Sequence, residues 1–161
     1  MDKYLIALDM DGTLLNNDKE ISFRTKEYLT KLAKDGHIVM IASGRPYRAI
    51  QRYYESMELT TPIICYNGSY TFSPVDNAFH TVRETFPKEI VKDIYNRIQP
   101  YLFSIMCESD KDIWINKRDG FLADFFYYDE MHIHQGDMNE ILNEDPLTMI
   151  VRIPDNFDKK D

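Results

Sequence analysis

Short apolar runs and helically spaced apolar residues take turns along the first 68 positions. YLIAL at 4–8 is continuously apolar and predicts a buried strand. The polar loop NNDKE at 16–20 follows. Ser22 is then placed to cap a helix in which Tyr28, Leu29, Leu32 and Ala33 recur at helical spacing, with Gly36 at its end. HIVMIA at 37–42 predicts a second strand, buried on both faces. After the turn SGRP, Pro46 suits the first helical position and 47–57 continues as helix. TPIICY at 61–66 predicts a third strand, which ends at Asn67 and Gly68. This alternation of strands and helices is the order of a parallel sheet with right-handed crossovers.

The pattern changes after Gly68. SYTF and AFHTV predict two short strands joined by the turn-rich SPVDN. An amphipathic helix spans 87–98. LFSIMCE and DIWIN predict two strands with SDK between them. A helix over 121–128, a short helix over 137–143 and a final strand LTMIVRI at 147–153 complete the reading. The second half is therefore α+β. A boundary between 80 and 86 follows, with one domain at 1–82 and another at 83–161. No internal repeat or low-complexity segment appears.

Composition narrows the class. The chain has 161 residues, 43% of them hydrophobic, which suffices for a packed core. A formal net charge of −8 argues against nucleic-acid binding, which needs clustered Lys and Arg. Cys65 and Cys107 lie far apart and match no metal or redox spacing, so two free thiols are expected. No apolar stretch approaches the ~20 residues of a membrane span, and no signal peptide is visible. A soluble cytoplasmic protein is the expectation.

Candidate chemistry gathers where ligands bind in open parallel sheets, beyond the carboxyl ends of the strands. The first strand ends in Asp9, Asp11, Gly12 and Thr13, the second in Ser43, Gly44 and Arg45, the third in Asn67 and Gly68. Carboxylates at such ends can hold Mg²⁺ together with substrate phosphate oxygens. Hydroxyls and exposed backbone N–H groups bind phosphate. A carboxylate can also attack phosphorus. The inventory suits metal-assisted phosphoryl transfer. Asp9 fits the role of nucleophile and metal ligand, and Asp11 that of general acid and base.

DMDGTLL at 9–15 resembles the first signature of the haloacid dehalogenase-like phosphohydrolases, and IASGRP at 41–46 resembles the second. Their spacing, the YNGS that follows and the late start of the α+β segment resemble the Cof-like branch, in which an α+β cap is inserted after the third core strand. The resemblance implies a Rossmann-like three-layer α/β core with a parallel sheet, bearing an inserted α+β cap, both incomplete here. It implies Asp9 as nucleophile, Asp11 as acid/base, and Mg²⁺ held by Asp9 and Asp11, the latter through its carbonyl. Ser43 would bind the transferred phosphoryl group, with Gly12, Thr13, Gly44, Arg45 and Asn67 as phosphate or substrate contacts. The substrate implied is a small phosphorylated metabolite, a sugar phosphate first, with neither nucleic acid nor membrane as partner.

Two further signatures of that family, a lysine and an acidic stretch of the form G-D-x-x-N-D, have no counterpart in the expected place. GDMNE at 136–140 has its Asn and acid one residue early and lies inside the expected cap. Lys159 and Lys160 sit beside the terminus. Three arrangements account for the gap: a piece of a longer enzyme, a degenerate relative stabilised as a homodimer, or a missing half supplied by a second chain. Two other functions stay open, a phosphomutase and a non-catalytic interaction module that retains the fold. Elsewhere, His132 and His134 read as surface residues rather than metal ligands, FFYY at 125–128 and Trp114 as packing, and Arg45 as equally suited to pairing with a carboxylate.

Overall fold

A computed structural model describes residues 2–126 and 132–154, without the side chains of 124–126. The chain divides into two compact units, 1–83 and 84–161.

In the first unit, β1 (Leu5–Leu8) pairs in parallel with β2 (Ile38–Ile41), Leu5 opposite Ile38 and Leu8 opposite Ile41. α1 (Phe23–Lys34) joins them. The Ser22 hydroxyl accepts the Thr25 N–H at 3.1 Å and so satisfies one of the amides a helix start leaves unpaired. α2 (Tyr47–Ser56) leads to β3 (Ile63–Cys65), which runs parallel to β2 through the Ala42–Ile64 bridge. Pro46 stands one place earlier than the pattern predicts: it caps α2 with an extended backbone instead of opening it. Two hydroxyls tie these layers, Tyr54 donating to the Thr61 carbonyl at 2.7 Å and Thr61 to that of Val39 at 2.6 Å. β4 (Tyr70–Phe72) and β5 (Val82–Arg83) extend β3 as an antiparallel meander.

The expected burial of YLIAL does not hold. Leu5 is 64% exposed and Tyr4 61%. Among the described strands β1 pairs with β2 alone, so it lies at an edge of the sheet. A continuous apolar run reports a strand made for neighbours on every side, and here one side has none within the described residues. The second strand shows the same at its start: Val39 and Ile41 are fully buried and Met40 nearly so, but Ile38, opposite Leu5, is 48% exposed.

In the second unit, α3 (Lys88–Ile98) precedes a four-stranded mixed sheet. Its order is β8 (His132–Gln135), β7 (Asp112–Ile115), β6 (Ser104–Glu108), β9 (Thr148–Arg152). All five residues of β6 are buried because both faces are covered. Ile105 and Cys107 pack with Val91, Tyr95, Trp114, Met138 and Leu142, bringing in α3 and α5 (Met138–Ile141). On the opposite face Met106 packs with Ile113, Ile115 and Leu122 of α4 (Gly120–Phe126). β8 is not predicted by pattern. HIHQ holds one apolar residue, and its pairing with β7 makes it a strand. The helix expected over 121–128 is described to Phe126, and Tyr127, Tyr128, Lys159 and Lys160 lie outside the described residues.

Candidate active site

Met10 is the anchor of the first loop. It is fully buried, while Asp9 before it is exposed and Asp11 after it half-buried. One apolar side chain thus pins the backbone, and the two carboxylates flanking it stay outside the core. The chain then closes a wide turn, with the Leu14 N–H on the Asp9 carbonyl at 3.2 Å and that of Leu15 on the Met10 carbonyl at 2.9 Å. Gly12 supplies the reversal with φ of +75°, which any side chain would strain. Thr13 is exposed on the same turn.

Ser43, Gly44 and Arg45 form the second loop. Ser43 is buried, and its hydroxyl accepts the Arg45 N–H at 3.2 Å. The Arg45 guanidinium forks onto Asp11, Nε to Oδ2 and Nη2 to Oδ1, both at 2.7 Å. That is the strong, orientation-fixing form of the carboxylate–arginine pair. The two loops meet through this contact.

Lys19, which the sequence does not single out, adds a second cation, with Nζ 3.0 Å from Asp11 Oδ1. Its carbonyl accepts the Tyr53 hydroxyl at 2.6 Å, and the Asn16 side chain collects the N–H groups of Asp18 and Glu20, so the loop is held from two sides. A polar loop offers no periodic signal. Only the fold carries this lysine back over Asp11. The Arg45 guanidinium, with Lys19 assisting, outweighs partial burial and holds the Asp11 carboxyl down at about 2.

Asn67 belongs to the third loop. Its N–H donates to the Ser43 carbonyl at 3.1 Å, and that of Tyr66 to the Arg45 carbonyl at 3.2 Å. Both residues hold positive φ, +50° for Tyr66 and +56° for Asn67. Such conformations cost about 1–3 kcal/mol each and persist where surrounding contacts enforce them. The first and second loops therefore meet through Asp11 and Arg45, and the second and third through main-chain hydrogen bonds.

Other candidates resolve into structural roles. Asp137 of GDMNE caps α5, accepting the Asn139 N–H at 2.8 Å. His134 Nε2 lies 2.6 Å from Asp112 Oδ1, and His132 Nδ1 3.8 Å from the same oxygen. Among the described residues no group of three or more His, Cys, Asp or Glu could hold a metal ion. Cys65 and Cys107 are free and buried, and burial pushes both thiols up to about 12. No helix among the described residues is long and apolar enough to cross a membrane.

A family model for haloacid dehalogenase-like hydrolases matches residues 6–161. The chain belongs to this family. Within the haloacid dehalogenase-like hydrolases it falls in the Cof-like branch and matches the N-terminal part of its relatives. It is 38% identical over 149 residues to the 5-amino-6-(5-phospho-D-ribitylamino)uracil phosphatase YitU of Bacillus subtilis, covering 92% of this chain and 55% of that protein. The fold matches that of a haloacid dehalogenase-like hydrolase from Bacteroides thetaiotaomicron with a TM-score of 0.70 at 27% identity, over 89% of this chain and 56% of the other. It also matches a sugar phosphatase of subclass IIB with a TM-score of 0.71 at 22% identity, over 92% and 57%. The chain thus spans little more than half the length of these relatives, and the α/β fold expected from the sequence is present over that part.

Proposed function

We propose that this chain carries the nucleophile and phosphate-binding loops of a Mg²⁺-dependent phosphatase acting on a small phosphorylated metabolite in the cytoplasm. The observation that supports it best is the convergence of the Asp9–Asp11 turn and the Ser43–Arg45 loop through one bidentate contact. Asp9 attacks phosphorus, the leaving alkoxide departs with a proton, and an aspartyl-phosphate forms; water then releases phosphate and restores Asp9. Ser43 and the backbone N–H groups of its loop hold the phosphoryl oxygens, with Gly12, Thr13 and Gly44 around them.

Asp11 delivers the proton and later activates water. While Arg45 and Lys19 both grip its carboxylate it cannot be the acid. A phosphate dianion is the group that would draw those cations away, so substrate charge and the readiness of Asp11 are linked through Arg45. Mg²⁺, when bound, offsets repulsion between carboxylates and phosphate. Among the described residues the Asp9 carboxylate and the Asp11 carbonyl would be its donors, and the Asp11 carboxylate is paired with Arg45 and Lys19. The remaining positions would be filled by water and substrate phosphate oxygens. The substrate is a sugar or sugar-alcohol phosphate, a class consistent with the phosphoribityl group named for YitU.

Hydrolysis of an aryl phosphate tests this in two forms. The chain alone should turn over little substrate. A chimaera joining it to the part of YitU beyond the matched region should show Mg²⁺-dependent hydrolysis that Asp9→Asn abolishes. A folded chimaera without activity, or activity that survives Asp9→Asn, overturns the proposal.

A further inference from the structure

Three consecutive residues, Tyr66, Asn67 and Gly68, hold φ values of +50°, +56° and +102°. For two of them this is an unfavourable backbone, and a chain does not keep two such residues in sequence without a contact that demands it. The demand is visible. The bend returns the N–H groups of Tyr66 and Asn67 to the carbonyls of Arg45 and Ser43, at 3.2 and 3.1 Å. Straightening Tyr66 would turn the Asn67 donor away from Ser43.

The Asn67 side chain closes the same gap. Gly44, between the two accepting residues, has no room for more than hydrogen: a methyl group there would stand 2.8 Å from Asn67 Oδ1 and 3.3 Å from Cγ and Nδ2. The amide occupies the space that a Gly44 side chain would need. Gly44 itself has no positive φ. Its lack of a side chain therefore serves this close approach and not the turn. Beyond Gly44, the Arg45 N–H rests on the Ser43 hydroxyl and the guanidinium forks onto Asp11.

We propose that Asn67 is a positioning residue: its left-handed backbone and its amide clamp the Ser43–Gly44–Arg45 loop so that Arg45 meets Asp11. The inference rests on the reading of that loop as the phosphate-binding one. Asn67 acts on the reaction through the loop and not by touching the phosphoryl group.

The test needs neither substrate nor metal, so its failure is separate from any failure of the phosphatase reading. The Nε–H proton of Arg45, donated to Asp11, gives an amide-like nitrogen–proton signal in solution, assigned by its disappearance in Arg45→Lys. In the 161-residue chain Asn67→Gly keeps the backbone accessible and removes the side chain that packs against Gly44; exchange of the Arg45 Nε–H with water should speed up about fivefold, the size of coupling expected between residues in contact. Asn67→Asp, similar in shape and tolerant of positive φ, should restore the slow exchange. Gly44→Ala should accelerate it as well, because the new methyl displaces the amide. Adding Asn67→Gly to Gly44→Ala should give no further acceleration beyond either single change, since both remove the same contact. Unchanged exchange in Asn67→Gly, or additive effects in the double variant, overturns the proposal. If Asn67→Gly fails to fold, the comparison of Gly44→Ala with Gly44→Ser decides: equal acceleration by both supports the clamp, and wild-type exchange in both overturns it.

Discussion

Two carboxylate–arginine pairs, one in each unit, join residues separated by almost the same length of chain. Asp11 and Arg45 are 34 positions apart, Asp119 and Arg152 are 33. Their surroundings differ. The Asp11 side chain is 37% exposed, sits on a turn after an edge strand and shares its charge between Arg45 and Lys19. The Asp119 side chain is 4% exposed. One Nη1 of Arg152 reaches both its oxygens, at 2.5 and 2.7 Å, and the buried Ser104 hydroxyl donates to it at 2.5 Å. Arg152 also lies over the rings of Phe121, at 4.7 Å, and Phe103, at 5.2 Å. The first pair opens from the Asp11 side, where water can solvate the carboxylate and Lys19 still pairs with it, whereas Arg45 is only 11% exposed and would need another anion in its place. The second is committed on its carboxylate side: the Asp119 charge, 4% exposed, cannot be left alone in its place. A carboxylate that must change partners during a reaction belongs in the first setting, and one that fastens β9 and β6 to the start of α4 belongs in the second.

Arg152→Ala should therefore be the most damaging single change, about 3–5 kcal/mol, because it strands a buried charge. Trp114, the only tryptophan, lies in the core of the second unit, so its fluorescence during urea unfolding reads that unit. A loss below about 1 kcal/mol would show that Asp119 is solvated after all and erase the contrast.

Ser104→Ala should come next, at about 1–2 kcal/mol by the same measurement, since it removes one donor from a buried carboxylate. Acid should sharpen the comparison. Burial alone would raise the Asp119 carboxyl, but the Ser104 and Arg152 contacts outweigh it and hold it below its ordinary 3.8. A depressed folded value means that the stabilisation is complete above the unfolded value and fades as pH falls through the folded one. The Trp114 transition should hold its midpoint from pH 7 down to about 5 and decline below about 4, and Asp119→Asn should flatten that decline. A decline of equal steepness in Asp119→Asn would assign it to other carboxylates.

Asp11→Asn should have the smallest effect on stability, about 1 kcal/mol, because the amide oxygen can still accept from the nearly buried Arg45, and salt should diminish it. Circular dichroism of thermal unfolding at low and high ionic strength checks this. A large loss would mean that Asp11 holds its loops together, and that releasing Arg45 to a phosphate would come at the cost of the fold.

The pair in the first unit was readable in part. D-x-D-G-T after an apolar run and S-G-R after another mark strand ends with chemistry on them, and the pairing of Arg45 with a carboxylate was one of two readings of that residue. Lys19 was not readable, because nothing in a polar loop tells which lysine folds back. The second pair left no trace in the sequence. Asp119 is one of many acidic residues, and Arg152 closes a strand whose alternation says only which face it occupies.

The alternation of apolar runs and helical spacings determined the order of elements in the first unit and the mixed character of the second, because burial of one face or two leaves a period in the chain. Motif spacing determined the family, since those residue types recur only where a strand end must carry them. What the tertiary structure decided was partnership. It set β1 at an edge, made HIHQ a strand through β7, brought Lys19 to Asp11, packed the Asn67 amide against Gly44 and buried Asp119 against Arg152. Each of these depends on distances between residues far apart in the chain, and a local pattern records how exposed a position must be without recording what will lie beside it.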